Sequence, residues 1–143
     1  MTRVTGVVMS DPGSPPADRR RRGWGAKFAT AARGVKLGVR GQSSFSVHAF
    51  FTASAVAASA VLGCDPVEWG LVILCIGLVL TAELLNSSVE LLFRGLEQPA
   101  RDRVYGCLDI AAGAVLVASA TAAAVGGIVI GRRLLLSLGL LGA

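Results

Sequence analysis

Residues 78–93 read LVLTAELLNSSVELLF, and Glu83, Asn86 and Glu90 stand in this apolar stretch at a spacing of i, i+3 and i+7. On a helix that spacing puts all three on one face. No proline interrupts the run. Upstream, Trp69 to Leu80 carries no charge, and Trp69 to Phe93 makes 25 residues, enough to cross a bilayer. A carboxylate at the centre of a membrane helix costs about 2.5–3.5 kcal/mol on insertion scales. Hydration at the membrane edge accounts for Glu90, which lies close to Arg94. It does not account for Glu83, seven residues or ~10 Å deeper. The set of three therefore reads as functional.

The rest of the chain fits a membrane setting. Its 143 residues predict one domain. Hydrophobic residues make up 53%, too many for an ordinary soluble domain. Nine of the 14 Lys and Arg precede residue 44, which suits an anionic membrane surface and argues against a nucleic-acid partner. Cys64, Cys75 and Cys107 show no CxxC or Cys/His spacing and read as small apolar fillers, with neither a disulfide framework nor a zinc site.

In chain order, residues 1–22 contain DPGSPPADRRRR and predict a disordered basic tail. Residues 24–40, WGAKFATAARGVKLGVR, predict a basic amphipathic surface helix. Trp24, Phe28, Ala31, Val35 and Val39 form its apolar stripe, and its cations face lipid phosphates. Three spans follow, at about 45–62, 69–93 and 104–130. The membrane domain covers 23–133, with a short apolar tail at 134–143 that is too brief to span. The fold class is thus an all-α membrane protein. The turn at 63–68 is acidic, whereas the N-terminus and the 94–103 loop are basic. The positive-inside rule then places the N-terminus and the 94–103 loop in the cytoplasm and the 63–68 turn outside. Arg132 and Arg133 fall on the outer side, a mild violation of that rule.

On this topology Glu83, Asn86, Glu90 and Asp109 share a depth near the cytoplasmic surface. Carboxylates with an amide are hard oxygen ligands, suited to Mg²⁺ and its bound phosphates. A carboxylate not committed to metal can take a proton from a hydroxyl. Phosphoryl transfer from cytoplasmic ATP to a lipid alcohol uses both. No GxxxxGK[ST] or GxGxxG occurs, so a soluble nucleotide fold is excluded. The residues alone leave open a proton-coupled carrier, which also needs buried acids.

Glu83-Leu-Leu-Asn86-Ser87-Ser88-Val89-Glu90 resembles the ExxNxxxE signature of the small prokaryotic integral-membrane diacylglycerol and undecaprenol kinases. Residues 109–116, DIAAGAVL, resemble the start of that family's third span, and residues 31–36, AARGVK, its surface helix. Phe45 with His48 is more similar to the undecaprenol branch than to the diacylglycerol branch. The resemblance covers about residues 24–130. It implies a homotrimer of three-span protomers with active sites between neighbours, using ATP and Mg²⁺. It makes Glu83 the base that accepts the hydroxyl proton, Glu90 a metal ligand and Asn86 a polar support. It gives Asp109 and Glu90 to the nucleotide, and Phe45 and His48 to the acceptor side; Arg94, at i+4 from Glu90 on the same helix face, is expected to reach the nucleotide too.

Three positions depart from the family pattern. Gln42 stands where a metal-binding Glu is expected; its amide oxygen can still ligate Mg²⁺, with one negative charge fewer. Leu108 stands where a Lys would touch phosphate, and Arg94 where an acid is expected one turn after Glu90. Gln42 and Leu108 give the alternative reading, a catalytically weakened kinase paralogue acting as a structural or lipid-binding membrane subunit.

Overall fold

The computed structural model describes residues 23–39 and 43–140. The tail expected at 1–22 lies outside them, as do Arg40 and Gln42. Five helices follow in order: α1 (Trp24–Val39), α2 (Ser43–Val61), α3 (Pro66–Arg94), α4 (Gln98–Val104) and α5 (Gly106–Ser137). The described residues contain no strand. α2, α3 and α5 are long and apolar enough to cross a membrane. The chain divides into two compact units, Met1–Gly34 and Val35–Ala143, with the boundary inside α1.

In the first unit the described part of α1 is exposed throughout. The Lys27 ammonium lies 4.7 Å from the centre of the Trp24 ring. This cation–π contact joins an apolar anchor to a cation on one helix turn.

In the second unit the turn between α2 and α3 is set by a few residues. Gly63 has φ +64, which glycine adopts without a side-chain penalty. The N–H of Cys64 donates to the carbonyl of Ser59, and that of Gly63 to Ala60. This Schellman arrangement ends α2. Asp65 then caps α3: its carboxylate accepts from the N–H groups of Val67 and Glu68, while the Glu68 carboxylate accepts from the Asp65 N–H. Pro66 fits the first helical turn, where its missing N–H is not needed.

α3 and α5 form the main packed pair, with α2 against them. They run antiparallel. Asn86 and Val89 share a groove with Cys107 and Ile110 at one end, and Glu68 reaches Arg132 and Arg133 at the other. Most large apolar side chains are exposed, among them Phe50, Phe51, Ile110, Leu116 and Ile128. In a membrane protein these surfaces face lipid or neighbouring helices rather than water.

Two expectations are corrected. The third span does not stop at Ile130, because α5 continues through Arg132 and Arg133 to Ser137. Arginine is a good helix former, and the charges of Arg132 and Arg133 meet the carboxylates of Asp65 and Glu68. The helix ends where Gly139 turns to φ +69. The short tail predicted from residue 134 therefore begins inside a helix. The 94–103 connection is also not all loop. α4 forms there, with a proline in its first turn and a Gln98–Asp102 side-chain bond of 3.2 Å.

Candidate active site

Glu83 is the largest fully buried side chain, at 2% exposure. Helix α3 places it toward α2, where Nε2 of His48 lies 3.6 Å from Oε1 of Glu83. No described side chain donates a hydrogen bond to that carboxylate, and the imidazole is its one polar side-chain contact among the described residues. One turn before His48 on α2, Phe45 is buried. One turn after Glu83, the Ser87 hydroxyl donates to the Glu83 carbonyl at 2.9 Å, and Ser87 is buried too. The last turn of α1 approaches here: a Cβ on Gly38 would fall 2.6 Å from Leu84. Burying a carboxylate is costly unless it is partnered, so the imidazole contact is the feature to explain.

The second polar group runs along α3 toward α4. The Asn86 amide donates to Glu90 at 3.0 Å, and Arg94 donates to the other Glu90 oxygen at 3.1 Å. Each step is i, i+4, the spacing that brings helix side chains together. Arg94 remains 70% exposed and Glu90 30%. Arg101 of α4 donates to the carbonyl of Arg94 and lies over the Phe93 ring, whose edge meets Tyr105. That contact satisfies a carbonyl left open at the end of α3.

Beside this ladder, a groove of about 780 Å³ runs between α3 and α5, lined almost wholly by apolar atoms. Asn86 is on its wall, with Leu85, Val89, Ile110 and Val117. Asp109 lies in the first turn of α5, exposed and without an ion-pair partner among the described residues. Leu108 next to it is half-buried.

The chain thus brings Asn86, Glu90 and Arg94 into one bonded series, and Glu83 onto His48. It does not gather Asp109 with them. Among the described residues no three His, Cys, Asp or Glu converge on one point. Glu90, whose oxygens accept from Asn86 and Arg94, is a single partly exposed carboxylate in this series. One or two carboxylates with phosphate oxygens and waters are what Mg²⁺ ordinarily takes, so the donor chemistry fits a nucleotide-bound ion.

Sequence reading singled out both His48 and Glu83 without pairing them, because contact between two helices leaves no spacing signal. It also missed the cluster at the opposite end. There Arg132 lies 3.1 Å from Glu68, Arg133 lies 2.8 Å from Asp65, and Arg133 bonds Glu68 as well. The available signal was the D-P-x-E cap before α3 and the equal count of cations in the RR pair.

No individual curated protein and no solved structure matches the chain. The family model described as prokaryotic diacylglycerol kinase matches residues 29–130, and these hold α2, α3, α4 and every candidate residue above. With most of its length matched, from the end of the aromatic anchor on α1 to the last turns of α5, the chain belongs to the prokaryotic diacylglycerol kinase family, a family of lipid kinases.

Proposed function

We propose that the protein transfers the γ-phosphate of ATP to the hydroxyl of a membrane lipid, with undecaprenol as the first choice of acceptor and diacylglycerol the second. The observation that carries this reading is the buried Glu83 on the same helix as the Asn86–Glu90–Arg94 series. A carboxylate withdrawn from water suits proton abstraction from a lipid alcohol. A partly exposed carboxylate four residues beyond an amide suits metal and phosphate. Glu90, with Gln42, would hold Mg²⁺, which when bound neutralises charge on the transferring phosphate. Asn86 orients Glu90 through its amide. Arg94 and Asp109 lie toward the nucleotide, and Phe45 and His48 toward the acceptor.

The apolar groove beside Asn86 suits a lipid chain better than a soluble substrate. A homotrimer, with each site completed by a neighbour, supplies what one chain does not gather around Asp109. In this reading the α3–α4 end is cytoplasmic, where ATP is found. The weakened-paralogue reading rests on Gln42 in place of a metal-binding Glu and on the half-buried Leu108 in place of a cation beside Asp109.

The test is a kinase assay of purified protein in lipid vesicles, with labelled ATP and each acceptor in turn. Transfer to undecaprenol above transfer to diacylglycerol is expected. Label in neither lipid, from folded protein, overturns the kinase reading.

A further inference from the structure

We propose that His48 is the exit for the proton that Glu83 removes from the lipid hydroxyl. This inference rests on the reading of Glu83 as the base and adds a step that reading leaves open. A base that turns over must lose its proton after each transfer. Glu83 is poorly placed to lose one directly, because its side chain is only 3% exposed. His48, 18% exposed in its side chain, is the polar side chain at hand, 3.6 Å away. It stands about one turn from the start of α2, the end that the charge pattern assigns to the cytoplasm.

The separation itself is informative. At 3.6 Å the two groups are in contact but are not hydrogen-bonded. Imidazole has two separate nitrogens, one able to accept while the other donates. Catalytic contacts that are long before substrate binds commonly tighten when it does.

The step balances. The acceptor O–H bond breaks and its proton passes to a Glu83 oxygen. The acceptor oxygen bonds the γ-phosphorus as the bond from that phosphorus to the bridging oxygen of ADP breaks. Glu83 returns to carboxylate by giving the proton to Nε2 of His48. His48 then releases a proton from Nδ1 to water and is restored by tautomer exchange. No oxidant, reductant or further reactant is involved. His48 acts through Glu83, so it is a relay and positioning residue and not a catalytic one.

The experiment uses the full chain in lipid vesicles, with the acceptor that the wild type phosphorylates, and compares Glu83→Gln, His48→Gln and His48→Ala. His48→Gln keeps an amide that can hold Glu83 in place but cannot relay a proton. It should lower kcat roughly 10–100-fold, less than the usual effect of a group that itself transfers a proton to or from substrate, with KM for ATP unchanged. His48→Ala should fall as far and recover at least several-fold in added imidazole, but not in the same concentration of acetamide. Wild-type kcat in His48→Gln overturns the relay, as does a folded His48→Ala that imidazole leaves unchanged. If His48→Ala does not fold, the His48→Gln kcat decides alone. Loss of turnover in Glu83→Gln beside a fully active His48→Gln removes the relay and keeps the base; an active Glu83→Gln removes both.

Discussion

Arg132, near the end of α5, lies 3.1 Å from Glu68 in the first turn of α3, although 64 residues separate them. Glu68 is 7% exposed and also belongs to the cap of α3. The Glu68 carboxylate therefore has two tasks: it accepts from the Asp65 N–H in the cap of α3, and it meets the cations of α5. Removing one partner leaves the other charged in apolar surroundings, which is worse than removing both. Glu68→Gln and the double variant Arg132→Ala/Arg133→Ala should each lower the thermal midpoint in detergent. The triple combination should lose less than the sum. Strict additivity of the losses, measured by circular dichroism melts, removes the coupling.

The neighbouring Asp65 carries a pH dependence. Its carboxyl is held below its ordinary value of 3.8, chiefly by the N–H of Glu68, then by the N–H of Val67 and by Arg133, against some loss of hydration. A group lowered on folding adds stability above its unfolded value, and that stability is lost as pH falls through the lower folded value. The acid limb of the stability curve should therefore steepen below about pH 3.8 in wild type. Asp65→Asn keeps a good helix cap but no titrating charge, so its acid limb should be shallower. Equal acid limbs in denaturation curves of the two proteins count against the assignment.

Pairing of Arg132 and Arg133 with two acids also bears on topology. The charges at that end cancel within the fold, and the orientation follows from the larger number of Lys and Arg at the N-terminus and in the α3–α4 connection. The α2–α3 turn should be extracytoplasmic and the α3–α4 connection cytoplasmic. In a background without the native cysteines, Arg103→Cys, at an exposed position, should react with an impermeant reagent only from the cytoplasmic side. Labelling only from outside reverses the orientation and separates the acids from ATP.

The two glutamates of α3 should fail differently. Glu83→Gln keeps the shape and removes the base, so kcat should drop by on the order of 10²–10⁴-fold with fold retained. Glu90→Gln removes a hard anionic ligand, so the Mg²⁺ concentration for half-maximal rate should rise. A Glu83→Gln enzyme within a few-fold of wild type refutes the base assignment. An unchanged Mg²⁺ requirement in Glu90→Gln refutes the ligand assignment.

The fold was legible because it follows from hydrophobic run length and from the short polar turn at 63–68 between two runs, all local in sequence. Asn86, Glu90 and Arg94 were legible as a series because helix period alone brings them together. The His48–Glu83 contact was not, since nothing local says which face of α2 meets which face of α3. The end of α5 was misread for the same reason. Arginine signals a membrane boundary only when its charge is unmatched, and its match sits 64 residues away. α4 was missed because seven residues of mixed charge give almost no periodic signal.

The last prediction concerns Arg94 and Leu108. Charge develops on the phosphate oxygens during transfer, and a nearby cation stabilises it. Leu108, half-buried beside Asp109, cannot do this. Arg94 is 70% exposed at the end of α3 and holds Glu90 at 3.1 Å. Its length lets it extend along the interface toward a nucleotide bound at Glu90. Its carbonyl, fixed by Arg101, anchors the backbone from which it extends. If Arg94 has taken over the phosphate contact, Arg94→Ala should abolish turnover, Leu108→Lys should raise it modestly, and the double variant should recover much of the loss. A simple membrane anchor at 94 predicts instead that Arg94→Lys and Arg94→Ala differ in membrane insertion and not in kcat. Steady-state rates for the four proteins separate the cases. Wild-type turnover in Arg94→Ala ends the compensation argument. Turnover that appears only when Gln42→Glu and Leu108→Lys are combined would mark the natural chain as a silent member of the kinase fold.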